Sequence, residues 1–175
     1  VRLPADEIID MVFLHGCKMP TIAVLLMDSS YCVHLRSFEI YIQDQDILPG
    51  LLDRDNLDAN GMSLLIPMEQ PFGGVIVIAD QAITCFGPQD SCVSETIAEP
   101  SYIRAIGQVD DDGSRYLLGD DNGKLSMLSL DLDPNLRVIH GVRLDAFGET
   151  STACAISYLD KGFVFIGSET GNSQL

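Results

Sequence analysis

The sequence is poor in several residue types, and each shortage excludes a class of protein. It has no tryptophan, and aromatic residues make up only 7% of its 175 positions. Ten lysines and arginines stand against 26 aspartates and glutamates, so the formal net charge is −16. The basic residues are scattered singly, without a basic stripe. Because such a chain repels phosphate backbones, direct nucleic-acid binding through this segment is disfavoured.

Long hydrophobic runs and paired cysteines are also missing. No stretch approaches the ~18 consecutive apolar residues of a membrane-spanning helix, so no membrane association is expected. The five cysteines are odd in number and contain no Cys-x-x-Cys pair, which predicts reduced, buried thiols in an intracellular protein. No signal peptide is visible, and the sequence begins with Val1 instead of methionine, which favours a piece of a longer chain.

Short apolar runs separated by turn-forming residues dominate the sequence. Nearly all are four to ten residues long and rich in Val, Ile, Phe and Tyr, as strands are, and no helical periodicity is visible. The predicted strands are Ile8–Leu14, Thr21–Met27, Tyr31–Ile42, Ser63–Pro67, Val75–Ala79, Ala82–Phe86, Ile103–Val109, Arg115–Leu118, Lys124–Leu130, Leu136–Leu144, Thr152–Leu159 and Phe163–Ile166. The fold class is therefore predicted to be all-β.

An internal repeat indicates which all-β fold this is. Gly119 and Gly167 lie 48 residues apart, and the next pair, Gly123 and Gly171, repeats that spacing. Met27 and Ala79 are weaker upstream equivalents, with spacings of 52 and 40. A repeat of about 40 to 50 residues with four short strands is typical of a β-propeller blade, and a β-sandwich is the structural alternative.

The repeat predicts about three and a half WD40-like blades of an incomplete ring. The approximate blades are 1–58, 59–100, 101–148 and an incomplete 149–175. Since a propeller closes only with roughly four to eight blades, we expect this segment alone to expose strand edges.

Several polar groups invite a functional interpretation, and each also has an ordinary structural one. Asp110–Asp112 before Gly113 lacks the ligand order of a calcium loop and is predicted to form a solvated turn. The stretch with Asp53, Asp55 and Asp58 before Gly61 is predicted to be a long inter-strand loop.

The histidines and the paired glycines receive ordinary interpretations as well. His15, His34 and His140 lie in strand-like runs without a catalytic motif and are predicted to be partly buried and hydrogen-bonded. Gly73-Gly74 is predicted to form a tight turn or bulge that enters a strand. No catalytic residue, metal or cofactor is therefore expected.

Five stretches carry a resemblance to a known family. They are Arg2-Leu3, Gly16-Cys17, Pro71–Gly74, Gly113–Asp120 and Gly167–Leu175. Together they resemble the first propeller of the damage-specific DNA-binding protein 1 family, over essentially the whole chain. The last stretch is also similar to the large subunit of the cleavage and polyadenylation specificity factor and to a large splicing factor 3b subunit.

The resemblance implies a non-catalytic adaptor of a cullin-4 ubiquitin ligase, present in nucleus and cytoplasm and linked to repair of ultraviolet-damaged DNA. In this family, three seven-bladed propellers precede a helical domain, so the resemblance implies that these blades belong to an incomplete seven-bladed ring. One propeller binds cullin-4, and the first and third hold substrate receptors, so damaged DNA is contacted only through a receptor. The alternatives are an RNA-processing scaffold of the same superfamily and a propeller hydrolase or lyase.

The resemblance also implies a partner-binding site at Tyr158, Glu169 and Thr170. The corresponding positions of the family border the pocket that accepts the anchoring helix of a receptor, and a tyrosine is a suitable anchor. The animal sequences have a basic residue and a leucine where this chain has Glu169 and Thr170. This difference changes the charge and removes an apolar contact, and an ordinary hairpin turn is the alternative.

Overall fold

The computed structural model describes residues 7–57, 59, 63–87, 91–133, 135 and 138–175. These residues form strands and turns, with no helix among them. The described part of the chain therefore contains no helix that could cross a membrane. The all-β prediction is confirmed. The strands are β1 Glu7–Phe13, β2 Thr21–Met27, β3 Val33–Tyr41, β4 Asp46–Leu57, β5 Leu64–Pro67, β6 Val75–Ile78, β7 Ala82–Phe86, β8 Cys92–Thr96, β9 Ile103–Gln108, β10 Arg115–Asp120, β11 Lys124–Asp133, β12 Val138–Glu149, β13 Ala153–Asp160 and β14 Phe163–Ser168.

These strands make four antiparallel sheets, each with its strands in chain order. Sheet 1 is β1–β4, sheet 2 is β5–β8, sheet 3 is β9–β12, and sheet 4 is the pair β13–β14. Gln174 pairs with Ile166 through two backbone hydrogen bonds of 2.9 Å and so occupies the third-strand position of sheet 4. Successive up-and-down sheets of this kind are the blades of a partial β-propeller.

The repeat in the sequence corresponds to the second strand of each sheet. Met27 ends β2, Ala79 directly follows β6, and Gly119 and Gly167 are the penultimate residues of β10 and β14. All four residues of β6 are buried, as is expected of a strand covered on both faces.

The sheets pack face to face through these second strands. Because side chains alternate along a strand, the two faces of each sheet contact different neighbours. Between sheets 1 and 2 lie Ala23, Leu25, Val33, Leu35, Leu65, Val75, Val77 and Phe86. Between sheets 2 and 3 lie Ile66, Met68, Ile76, Ile78, Ile83, Cys85, Ile97, Ile103, Tyr116, Leu118, Leu128, Leu130, Ile139 and Val142. Between sheets 3 and 4 lie Ala105, Leu117, Leu125, Ala153, Ile156 and Ile166.

The predicted loop that contains Asp53 and Asp55 is wrong, because both residues lie in strand β4; Asp58 and Gly61 are outside the described residues. This outermost strand of sheet 1 pairs on one side only, with β3. It therefore tolerates Pro49, which cannot donate a backbone hydrogen bond, and carries many charges. The short outer strand β8 has the same polar character and was not predicted either.

The predicted burial of the cysteines and histidines is mostly wrong. Only Cys85 is buried, whereas Cys17, Cys92 and Cys154 are exposed and Cys32 is intermediate; all five are free thiols. Burial raises the pKa of the Cys85 thiol to about 12. Among the histidines, the side chain of His34 is 17% exposed, but those of His15 and His140 are 45% and 51% exposed. The exposed cysteine side chains are small, His15 lies in a turn, and His140 lies on the outer strand β12, so packing does not require that these side chains be buried.

Two turns were predicted correctly. Gly73 and Gly74, with φ of +67° and +92°, form the turn that enters β6. Asp110–Gly113 forms the turn between β9 and β10, as expected of a polar, glycine-ended segment.

Candidate partner-binding site

The sheets have two ends, which we name after the candidate residues. The Tyr158 end carries the turns between the first and second strands, namely β1–β2, β5–β6, β9–β10 and β13–β14. The Glu169 end carries the turns between the second and third strands, namely β2–β3, β6–β7 and β10–β11, together with the segment that follows β14.

The turns at the Tyr158 end contact one another from sheet to sheet. The Gln70 Nε2 donates a 3.1 Å hydrogen bond to the His15 carbonyl, and the Glu69 carboxylate lies 3.7 Å from His15 Nε2. A Cβ at Gly113 would lie 3.3 Å from Glu69, so sheet 3 joins the same row. Tyr158 lies at the same end in sheet 4 and interacts electrostatically with Arg115 of sheet 3.

Tyr158 lies near the end of β13, opposite Val164 on β14, and is 37% exposed. Its hydroxyl oxygen accepts a 3.2 Å hydrogen bond from the Gly162 N–H. Since this bond uses the oxygen as an acceptor, the hydroxyl proton stays available to donate to a partner. Tyr158 therefore combines a partly exposed side chain with a hydroxyl donor that has no acceptor among the described residues.

An ion pair between Arg115 and Asp110 lies at the β9–β10 turn of the same end. Arg115 donates from Nη2 to Asp110 Oδ1 at 2.8 Å and from Nε to Oδ2 at 2.5 Å. The Ser114 hydroxyl donates to the same Oδ2 at 2.9 Å. The Arg115 guanidinium holds the pKa of Asp110 below its ordinary value, and Asp110 in turn raises the pKa of Arg115.

The acidic turn thus uses its carboxylates within the protein. Asp112 Oδ1 accepts a 2.9 Å bond from the Ser114 N–H, in addition to the contacts of Asp110. Within the described part of the chain, no group of three His, Cys, Asp or Glu side chains could hold a metal ion. Asp110 and Asp112 therefore stabilise the β9–β10 turn through hydrogen bonds within the protein.

The β13–β14 turn next to Tyr158 has an unusual backbone. Asp160, Lys161 and Gly162 have φ of +125°, +53° and +85°, and the first two are not glycine. Such conformations are costly for ordinary residues and are often found at functional sites. Two exposed apolar side chains, Leu159 at 54% and Phe163 at 59%, flank this turn.

Glu169 and Thr170 are exposed in the segment that follows β14. The segment is shaped by its neighbours, since the Gly171 N–H donates to Ser168 Oγ at 3.1 Å and the Ser168 N–H donates to Ser173 Oγ at 3.3 Å. The side chains of Glu169 and Thr170 make no hydrogen bond with the described residues, and both residues are exposed to solvent.

The structure does not bring the three candidate residues together. Tyr158 is paired with Val164, five residues before Glu169 on the same hairpin, which separates them by roughly 16 Å along the strand. Tyr158 belongs to one end of sheet 4, and Glu169 and Thr170 belong to the other. A single partner can contact both only if it extends along the hairpin, and the partner-binding role of all three stays a prediction.

Sequence reasoning missed the surroundings of Tyr158. The sequence did not indicate that Tyr158 bonds the Gly162 N–H or interacts electrostatically with Arg115. Part of this site is visible in the sequence, because apolar residues flank the polar turn Asp160–Gly162 on both sides.

The whole chain, residues 1–175, matches the family model described as RSE1/DDB1/CPSF1 first beta-propeller. The chain belongs to this family of propeller domains. Within it, the chain is 43% identical to DNA damage-binding protein 1 of Solanum lycopersicum over 175 residues and 42% identical to that of Oryza sativa subsp. japonica over 175 residues. It is 39% identical to DNA damage-binding protein 1b of Arabidopsis thaliana over 176 residues. Each match covers 100% of this chain and 16% of the relative.

Proposed function

We propose that the protein containing this chain is a non-catalytic scaffold of a cullin-4 ubiquitin ligase, linked to nucleotide-excision repair of ultraviolet-damaged DNA. The observation that carries this proposal is the 43% identity, over the whole chain, to a protein named DNA damage-binding protein 1. We place its action in the nucleus and the cytoplasm.

The proposed partners follow from the same relationship. Substrate receptors bind at a pocket that this propeller borders, and cullin-4 binds through another propeller of the full-length protein. Damaged DNA is reached through a receptor, because a segment with a net charge of −16 repels phosphates.

The surroundings of the histidines support a structural role over a catalytic one. His15 lies in the β1–β2 turn beside Glu69, His34 lies in β3 beside Asp28 and Asp55, and His140 lies in β12 near Asp133. They occupy separate places in two different sheets. Catalysis needs acid, base and nucleophile groups that converge on one reacting atom.

The assembly can be tested by purifying the tagged full-length protein and identifying the proteins bound to it. We expect cullin-4 and propeller-containing receptors. Recovery of polyadenylation or splicing subunits without cullin-4 would instead support the RNA-processing alternative, which the family description keeps open because it also names RSE1 and CPSF1.

Receptor binding is tested separately, with the complete protein and a synthetic receptor helix. Tyr158→Ala removes a half-exposed aromatic anchor, and we expect it to weaken binding by about 2 kcal/mol or more, the typical cost of losing a hot spot. Glu169→Lys restores the basic character of the animal sequences and is expected to change affinity in the same assay. Isothermal titration calorimetry measures both.

A matched control comes from sheet 3. Phe147 is a 58% exposed aromatic residue on the outer strand β12 of sheet 3, outside the β13–β14 hairpin, and Phe147→Ala is expected to leave affinity unchanged. If Tyr158→Ala and Glu169→Lys both change affinity by less than ~0.5 kcal/mol, this border of the pocket is incorrect. An effect of only one variant would show which end of the hairpin the helix contacts.

A further inference from the structure

A chain of charged side chains joins the last two strands of sheet 1 to the β2–β3 turn. His34, on β3, lies between two carboxylates, with Nδ1 2.8 Å from Asp55 Oδ1 and Nε2 3.2 Å from Asp28 Oδ2. Arg36 contacts the same Asp55 and lies 2.8 Å from Asp53 Oδ1. The His34 side chain is 17% exposed, so the protein covers most of its surface.

The two contacts of the imidazole depend on its protonation state. An ionised carboxylate only accepts hydrogen bonds, and a neutral imidazole has one N–H donor. Both contacts can be hydrogen bonds at once only if both ring nitrogens carry a proton. A neutral His34 can keep only one of these two hydrogen bonds.

The contact to Asp28 matters because Asp28 organises the β2–β3 turn. Asp28 Oδ1 accepts the N–H groups of Ser30 and Cys32 at 2.8 and 2.9 Å, while its Oδ2 faces His34. The turn holds Tyr31 at a φ of +62° and leaves its side chain 82% exposed. A bulky residue seldom adopts this backbone conformation unless its surroundings enforce it.

We propose that His34 is a proton-dependent clasp, which ties the β2–β3 turn to β4 while both ring nitrogens are protonated and releases the turn when one proton leaves. The clasp acts on the turn that occupies, in sheet 1, the place of the Glu169 segment in sheet 4. It would make the presentation of Tyr31 at the Glu169 end depend on the protonation of His34, and so on pH.

The carboxylates that face His34 favour the closed state, Asp28 from the turn and Asp55 from β4. Arg36 contacts the same Asp55 oxygen as His34 and opposes the closed state through its positive charge, which its ion pair with Asp53 partly offsets. The pKa of Asp28 is lowered, first by the Cys32 N–H and then by His34, and the pKa of Asp55 is lowered by Arg36 and then by His34.

The direction of these two shifts sets the acid limit of the clasp. A carboxyl whose folded pKa is depressed contributes stability above its ordinary value near 3.8, and this contribution is lost as pH falls further. On the alkaline side, the contact to Asp28 or Asp55 is lost when the imidazole becomes neutral. The clasp is therefore closed while both ring nitrogens are protonated and opens when one of these protons is lost.

Hydrogen–deuterium exchange of the full-length protein at pH 6 and pH 8 tests the proposal. Rates are corrected for the intrinsic pH dependence of exchange, and the peptide measured spans the turn from Met27 to Val33. We expect the corrected rate to rise about two- to fivefold at pH 8, which is the effect of losing one exposed ion pair. A corrected rate that is equal at both pH values would overturn the proposal.

Three variants assign the effect to His34. His34→Gln cannot change its charge, and its turn should exchange at one corrected rate at both pH values. His34→Arg keeps a permanent charge with several donors, and its turn should stay slow at pH 8. His140→Gln removes a 51% exposed histidine whose nearest carboxylate lies 3.9 Å away, and it should behave like the wild type. Persistence of the pH effect in His34→Gln would show that another group is responsible.

Discussion

The contacts on the two faces of sheet 3 differ in the size of the side chains that make them. On the face toward sheet 2, large side chains such as Tyr116 and Leu118 meet Ile76 and Ile78. On the face toward sheet 4, small residues allow the backbones to approach. A Cβ at Gly107 would lie 2.5 Å from Ile156 Cγ2, and one at Gly119 would lie 3.0 Å from the Cβ of Ala153.

This difference explains a glycine that the repeat had marked. Gly119 is not in the left-handed region, so its role is to leave room for sheet 4. Gly167, its equivalent 48 residues later, would have a Cβ at an ordinary 3.6 Å from that of Ala155. The same position in the repeat is therefore constrained by packing in one blade and not by the described neighbours in the next.

The largest loss of stability is expected when a large side chain is removed from the contact between sheets 2 and 3. Leu118 is 0% exposed, and Leu118→Ala should lower the free energy of unfolding by about 2–5 kcal/mol through lost burial and the cavity left behind. Guanidinium denaturation of the full-length protein measures the change. Leu159→Ala, at a 54% exposed position, is the control and should stay within about 0.5 kcal/mol.

The opposite change tests the sheet 3–sheet 4 contact. Gly107→Ala adds a methyl group 2.5 Å from Ile156 Cγ2 and 2.9 Å from the Ile156 carbonyl oxygen, which should cost about 1–3 kcal/mol by overpacking. Gly148→Ala is its matched control, because a Cβ there meets nothing within 4 Å. Equal stability of the two variants would mean that sheet 4 can shift without cost, contrary to the close packing described here.

The inner strands could be predicted from the sequence because burial on both faces demands apolar residues. Thr21–Met27 and Ala82–Phe86 were predicted with their observed limits. The outer strands β4 and β8 were missed, since a strand that pairs on one side and faces solvent carries turn-like polar residues. Their presence depends on the neighbouring strand, which composition does not reveal.

The candidate site was predictable only as separate residues. The polar turn at Asp160–Gly162 and the segment at Glu169 were both identified, but their separation depends on the register that pairs Tyr158 with Val164. The ion pair of Arg115 with Asp110 depends on a side-chain geometry across a turn. The clasp at His34 joins β3 to a strand that was predicted to be a loop, so it could not be anticipated.

The smallest expected effect concerns a polar atom within the large-residue contact. Tyr116 is 1% exposed and burial raises its pKa to about 12, and its hydroxyl has no hydrogen-bond partner among the described residues. Because a buried hydroxyl without a partner is a cost, Tyr116→Phe should leave stability unchanged or raise it by up to about 1 kcal/mol. Tyr158→Phe is the comparison, since its hydroxyl accepts the Gly162 N–H. If Tyr116→Phe lowers the denaturation midpoint more than Tyr158→Phe does, the Tyr116 hydroxyl makes a hydrogen bond that stabilises the contact between sheets 2 and 3.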